Sequence, residues 1–218
     1  MMLDFSVVPP YAGVLLNGLL WTLLITALAT TIATVCGILF ALILLYAPLV
    51  LRWPVRFICF LIMGTPLLLQ LFLVYYGLSQ VGVNLPAFWT GVAALGLHYA
   101  VYNAQIMRTA ILGVDPGQTE ASRALGFGRL ATLRHFILPQ ALLVATPQLG
   151  NNTLILLKDT ALLSVIGITE LVLSSQLSIS RTFRPFEFYL TIAALYYVIN
   201  LGMEWVLRRL ARRLEAIK

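Results

Sequence analysis

No Asp, Glu, Lys or Arg occurs between Asp4 and Arg52, and none between Arg56 and Arg108. A helix crosses the hydrocarbon core of a bilayer with roughly 20 apolar residues, so the first run holds a crossing and the second holds two. The rest of the chain agrees: only 10% of its residues are charged, against roughly 25% in soluble domains. The expectation is an all-α integral membrane protein. The opening MMLDFSVVPP has no basic region and carries Asp4, which argues against a cleaved secretory signal and for a retained first helix. Cys36 and Cys59 fall in apolar segments without metal-ligand or redox spacing and read as packing residues.

Five spans are expected, within residues 12 to 46, 57 to 78, 87 to 111, 137 to 157 and 187 to 207. The first run is longer than a bilayer needs, so it is tilted or begins as an interfacial segment. Gly82, Asn84 and Pro86 mark a short turn between the second and third spans. The fourth carries Pro139, Pro147 and Gly150, which free backbone groups that lipid cannot satisfy, so a kinked helix buried in a bundle is expected. Residues 160 to 180 are too short to cross twice and too polar to cross comfortably once; a short or re-entrant helical element is expected there. No repeat and no soluble domain boundary is evident, so residues 1–218 read as one transmembrane domain.

The net charge of +6 would suit nucleic acid in a soluble chain, but the basic residues sit at span ends, where they set topology. With the N-terminus outside, the inner side receives Arg52, Arg56, Arg108, Arg123, Arg129, Arg134, Arg208, Arg209, Arg212, Arg213 and Lys218, eleven of the fourteen. The C-terminus and the loop at about 112 to 138 are then cytoplasmic.

That loop holds TEASRALGFGRLATLRHFILPQ, residues 119 to 140. Just before it, Asp115 can cap a helix, Pro116 suits its first position and Gln118 completes a capping-box spacing; Gly126 supplies a stop. A second helix is expected from near Arg129, with Leu130, Leu133 and Ile137 on one face. A solvated loop would explain charge alone, but not this order. Glu120, Ala121 and Ser122, then Gly126, then Leu138 and Pro139 resemble the Glu-Ala-Ala, three residues, Gly, nine residues, Ile-x-Leu-Pro pattern of the membrane subunits of ABC importers.

The resemblance runs from Gly18 to Glu215. GTPLLLQLFLVYYG at 64 to 77, Tyr102 with Arg108, PGQTEASRALG at 116 to 126, LPQA at 138 to 141 and LLKDTALLSVIGITEL at 156 to 171 are together similar to permease subunits of polar amino acid importers of the histidine, arginine and glutamine type. It implies a type I importer permease fold, about five transmembrane helices with a cytoplasmic coupling helix, in a bacterial inner membrane. It also implies paired permeases, separate ABC ATPase subunits that bind ATP and Mg, and an extracytoplasmic binding protein. Glu120, Ala121, Ser122, Gly126 and Pro139 would serve ATPase coupling. Four departures stand out: Ser122 for the second Ala, Phe136 for Ile, Met63 where many relatives have Arg, and Gln105 where Glu is frequent. The last two favour one half of a heterodimer.

The chain's two lysines, Lys158 and Lys218, follow no Gly-x-x-x-x-Gly run, so no P-loop is present and no cofactor is expected in this chain. Polar residues at membrane depth are candidates for the translocation path: Gln105, Asn103, Asn151, Asn152, Lys158, Asp159 and Glu170. Each also reads as a helix bridge or interfacial anchor. His98 reads as interfacial, and two histidines 37 residues apart form no metal site. A secondary transporter or channel would explain the polar residues but leaves the coupling pattern unexplained and lacks the usual repeats. A membrane-embedded enzyme lacks a Gly-x-Ser-x-Gly or paired His/Glu motif. The cargo reads as polar amino acids or close derivatives such as opines.

Overall fold

A computed structural model describes residues 3–215; Lys218, counted above on the inner side, lies outside the described residues. Eight helical elements follow in order. Two 3-10 turns, Phe5–Val7 and Pro9–Tyr11, lead into α1 (Ala12–Tyr46). Then come α2 (Leu49–Met63), α3 (Leu67–Gln80) and α4 (Ala87–Leu112). The short α5 (Pro116–Ala124) precedes α6 (Arg129–Ile166), α7 (Leu171–Thr182) and α8 (Pro185–Glu215). Among the described residues there is no strand.

At about 1.5 Å per residue, the 35 residues of α1 extend about 52 Å, beyond the thickness of a hydrocarbon core. Its packing face is a row of mostly small residues spaced three or four apart: Leu15, Gly18, Thr22, Ile25, Ala29, Ala33, Gly37 and Ala41. In lipid, where apolarity does not discriminate one helix face from another, small residues set the contact by letting backbones approach. A Cβ on Gly37 would lie 2.6 Å from the Cβ of Asn103, and one on Gly96 would lie 2.7 Å from that of Ile32. Helices α1 and α4 therefore fit closely along their length. One apolar cluster centres on Ile25, Leu71, Leu95, Tyr99 and Leu163, and a second on Ala41, Met107, Ile111, Ile137 and Ala141. A third joins Leu15 and Leu171 to Phe188 and Ile192. The chain start is tied there as well: the Asp4 amide donates to Glu187, while Ser6, through its hydroxyl and then its amide, holds the Asp4 carboxyl below its usual range.

The second expected span is not one helix. Helices α2 and α3 meet at 115° across Gly64, Thr65 and Pro66. Pro66 has no N–H to continue a helix and disfavours helical backbone at Thr65, which ends α2. The side-chain Nε2 of Gln70 satisfies what the break exposes, donating to the Ile62 carbonyl at 2.8 Å and the Thr65 carbonyl at 3.0 Å. Residues 160 to 180 form the expected short element: a 3-10 turn, Thr160–Ile166, ends at Gly167 with φ +82°, and α7 leaves at 50° to α6.

Two helices, Phe5–Tyr46 and Pro185–Arg213, are long and apolar enough to cross a bilayer, and the two bent pairs raise the number to four. The remaining expected span, the third, is α4, 26 residues long. It falls short on apolarity because it is the interior helix of the bundle: His98 and Asn103 are buried in protein, where polar side chains meet partners and not lipid. In α6, a π-turn over Leu133–Ile137 directly precedes Pro139. The widened turn accommodates a residue that cannot donate the next α-type bond, which is the form the expected irregularity takes at that proline.

Candidate functional site

Helix α5 is bounded by devices written in its sequence. Asp115 accepts from the Gly117 amide at 2.8 Å and Pro116 opens the helix. At the other end Gly126 has φ +85°, its amide donates to the Arg123 carbonyl at 2.9 Å, and the Phe127 amide donates to the Ser122 carbonyl at 3.0 Å. This bond pair is a Schellman motif, in which the left-handed residue lets the chain turn back and satisfy the last carbonyls. Gln118 departs from the expected capping box: its side chain accepts from Gln140, at 3.3 Å.

Three contacts hold α5 against the first turns of α6. Besides Gln118 to Gln140, the hydroxyls of Ser122 and Thr132 lie 2.9 Å apart, both buried. The rings of Phe127 and Phe136 meet edge to face at 5.0 Å. Two of the four departures noted above thus have a local purpose: Ser122 supplies a hydrogen bond to α6 that Ala could not, and Phe136 a ring pairing with Phe127 in the turn before α6 that Ile could not. Glu120, Ala121 and Gly126 stay exposed, whereas Ser122 faces inward. Pro139 is exposed just beyond the π-turn. The result is a short, well-terminated helix with one free face and one face fastened to the bundle.

The membrane-depth polar residues divide. Asn103 and Asn152 are buried and joined, the Asn152 side-chain Nδ2 donating to Asn103 Oδ1 at 2.9 Å. Asn151, one position and so about 100° away on the helix, is exposed beside Pro147, Glu204 and Arg208 in a groove between α6 and α8. Asp159 accepts from the Tyr99 hydroxyl at 2.6 Å, while Lys158 is exposed and makes no ion pair with it. Glu170 is fully buried at the start of α7, accepting from the amides of Val172 and Leu173, each at 2.9 Å, and from the Tyr196 hydroxyl at 3.1 Å. That is N-cap geometry, with both carboxylate oxygens engaged. His98 is buried between helices: its Nδ1 lies 2.9 Å from Gln70, linking α4 to the α2–α3 break. Gln70 itself was missed; its place four residues after a Gly-Thr-Pro break was the available signal.

The other two departures, Met63 and Gln105, come together. They line one 200 Å³ pocket between α1, α2 and α4, with Arg56, Arg108 and Cys59. Two guanidinium groups and no carboxylate face it, so it favours an anion over a cation. Gln105 also borders a 520 Å³ groove between α4 and α6, with Thr109 and Gln148.

The sequence model of the family described as "Binding-protein-dependent transport system inner membrane component" matches residues 33–216. The glutamine transport system permease protein GlnP of Escherichia coli (strain K12) is similar over its whole length, 32% identical over 219 residues and covering 100% of both chains. The octopine transport system permease protein OccQ of Rhizobium meliloti is 44% identical over 149 residues, a match spanning 63% of each chain. Among solved structures, a chain from the crystal structure of an amino acid ABC transporter with histidines superposes with a TM-score of 0.90 at 40% identity, over 98% of this chain and 100% of that one.

Proposed function

This chain belongs to the family of binding-protein-dependent transport system inner membrane components, and from that premise we propose that it is the permease subunit of an ATP-driven amino acid importer. The observation that carries the reading is α5, a helix capped at both ends, exposed along Glu120 and Ala121 and fastened to α6 through Ser122, Phe127 and Gln118. A lever that transmits closure of a separate ATPase needs this combination, because a two-state bundle shifts only when a contact differs between its states. ATP and Mg belong to the ATPase, and an extracytoplasmic protein delivers the cargo. The N-terminus lies outside and α5 in the cytoplasm.

The cargo is a polar amino acid or a derivative such as an opine, in keeping with glutamine and octopine in the names of two relatives. The pairing is with a second, different permease. Met63 and Gln105 support it: the charged groups lining the pocket they share, Arg56 and Arg108, are both cationic, so recognition of a cationic side chain falls to the other half. Gln105 lines the path, with Asn103, Asn151, Asn152, Lys158 and Asp159 as its further polar positions, while Glu170, fully buried as the N-cap of α7, is structural.

The test is co-purification from membranes with a candidate ATPase and a candidate second permease, comparing the wild type with a variant lacking residues 116 to 126. Loss of the ATPase from the deletion alone, followed by ATP-dependent uptake of glutamine or octopine in vesicles, is the expected result. Flux through the purified chain without ATP would replace this reading with that of a channel or secondary carrier.

A further inference from the structure

A 460 Å³ pocket lies between α5, the start of α6 and the far end of α1, lined by Tyr46, Thr119, Arg123, Arg129, Leu130 and Leu133, among others. Its position on α5 is informative. Thr119 and Arg123 are four residues apart and share one helix face, and Ser122, on that same side, is buried against Thr132. The pocket is therefore on the bundle side of α5, away from the free face that Glu120 and Ala121 present.

Neither arginine side chain has a hydrogen-bond or ion-pair partner among the described residues. Among the described residues the ion pairs are Arg184–Glu187 and Arg208–Glu204. By contrast Arg52, at the same end of α1, is turned onto the Ala47 carbonyl at 2.9 Å. The floor of the pocket is apolar: Leu133 and Ile137 belong to the cluster that includes Ala41, Leu42 and Leu45. The mouth continues along α1. Val35, Leu39 and Tyr46 are all exposed and, at separations of four and seven residues, fall on one helix face. From Val35 to Tyr46 the rise is about 16 Å, close to half of a 30 Å hydrocarbon core and hence to one leaflet.

We propose that this pocket binds the phosphate headgroup of an anionic phospholipid from the leaflet at the α5 end of the bundle, its acyl chain lying along Val35 and Leu39. The two guanidiniums suit a phosphate diester, to which planar forked donors bind with charge-assisted hydrogen bonds. Tyr46 supplies the amphipathic ring that settles at headgroup depth. A lipid there would brace the bundle side of α5. The inference rests on the pocket alone and stands whether or not the importer reading does.

The test is native mass spectrometry of the full-length chain in a zwitterionic detergent, supplied with equal amounts of dioleoyl-phosphatidylglycerol and dioleoyl-phosphatidylcholine. Selective retention of one phosphatidylglycerol is expected, reduced about 30-fold in the Arg123→Gln, Arg129→Gln double variant and unchanged in Arg134→Gln, whose side chain does not line the pocket. The single variants, each expected to lose about fivefold, carry the test if the double variant aggregates. Equal retention of the two lipids, or undiminished retention without the arginines, would overturn the proposal. Displacement of the lipid by millimolar inorganic phosphate would do the same, by assigning the site to a free anion.

Discussion

Replacing Gly126 isolates what ends α5. Its φ of +85° is open to glycine and costly for other L-residues, yet a Cβ built there meets no atom within 4 Å. A Gly126→Ala change is thus pure backbone strain with no steric clash. Forcing an L-residue into the left-handed region costs roughly 1–2 kcal/mol, a factor of about 5–30 in a local opening equilibrium. The amides that report it are those of Gly126 and Phe127, which donate to Arg123 and Ser122. Hydrogen exchange at these two positions should accelerate by that factor in Gly126→Ala, with amides in the core of α4 unaffected. Gly126→Asn should fall between, since Asn tolerates the left-handed region. Gly126→Leu, with the same strain and a larger side chain on the surface, should insert normally yet lose ATP-coupled uptake. Unchanged protection in Gly126→Ala would refute the strain argument, and normal transport by Gly126→Leu would refute the role of α5 as a lever.

Three further outcomes follow from packing and hydrogen bonding. Gln70→Leu leaves the Ile62 carbonyl without its partner at the α2–α3 break, and thermal unfolding in detergent should show a loss of about 1–3 kcal/mol; an unchanged midpoint would remove Gln70 from the joint. Gly37→Leu drives a side chain into Asn103 and the Ala100 carbonyl and should cost about 1–3 kcal/mol or more. Gly202→Leu, with nothing within 4 Å, should cost far less in the same melt. A double-mutant cycle on Asn103→Leu and Asn152→Leu should give a coupling near 0.6 kcal/mol, typical of hydrogen bonds between helices in membranes. A rise in the uptake KM beyond that of stability-matched variants would mark the pair as substrate contacts.

The features legible in the sequence were those that obey local rules. Asp115, Pro116 and Gly126 act on their own backbone within a few residues, so their pattern fixed α5 at both ends. The apolar runs placed α1 and α8 by length alone. What was not legible depended on partners distant in sequence. The break at Gly64 to Pro66 contains its own cause, but the 115° bend is also tied to α4 by Gln70 and His98, 28 residues apart. Glu170 and Asp159 look alike as acidic residues in apolar surroundings; which one caps a helix and which one accepts from Tyr99 is decided by α7 and α4. The small-residue row of α1 was missed because apolarity was the wrong measure: the residues that pack against α4 are distinguished by size.

Those partners also define how a displacement of α5 would travel. Both sharp bends are tied on each side, the first by Gln70 and His98 and the second by Glu170, whose neighbour Leu171 donates its amide to Thr22 of α1 at 3.2 Å. Joints held this way are poor hinges, since opening them would strand polar groups in a medium that offers no water. Movement of α5 would instead reach α6 through Ser122–Thr132 and Phe127–Phe136. Helix α6 then meets α4 at two polar contacts, Asn152 with Asn103 and Asp159 with Tyr99. Between that contact line and the α5 end lies Gln105, which borders both the cationic pocket and the α4–α6 groove. If α5 acts as the proposed lever, a shift of α6 against α4 would move the walls around Gln105, the residue where this chain departs from the acidic pattern of the permeases it resembles.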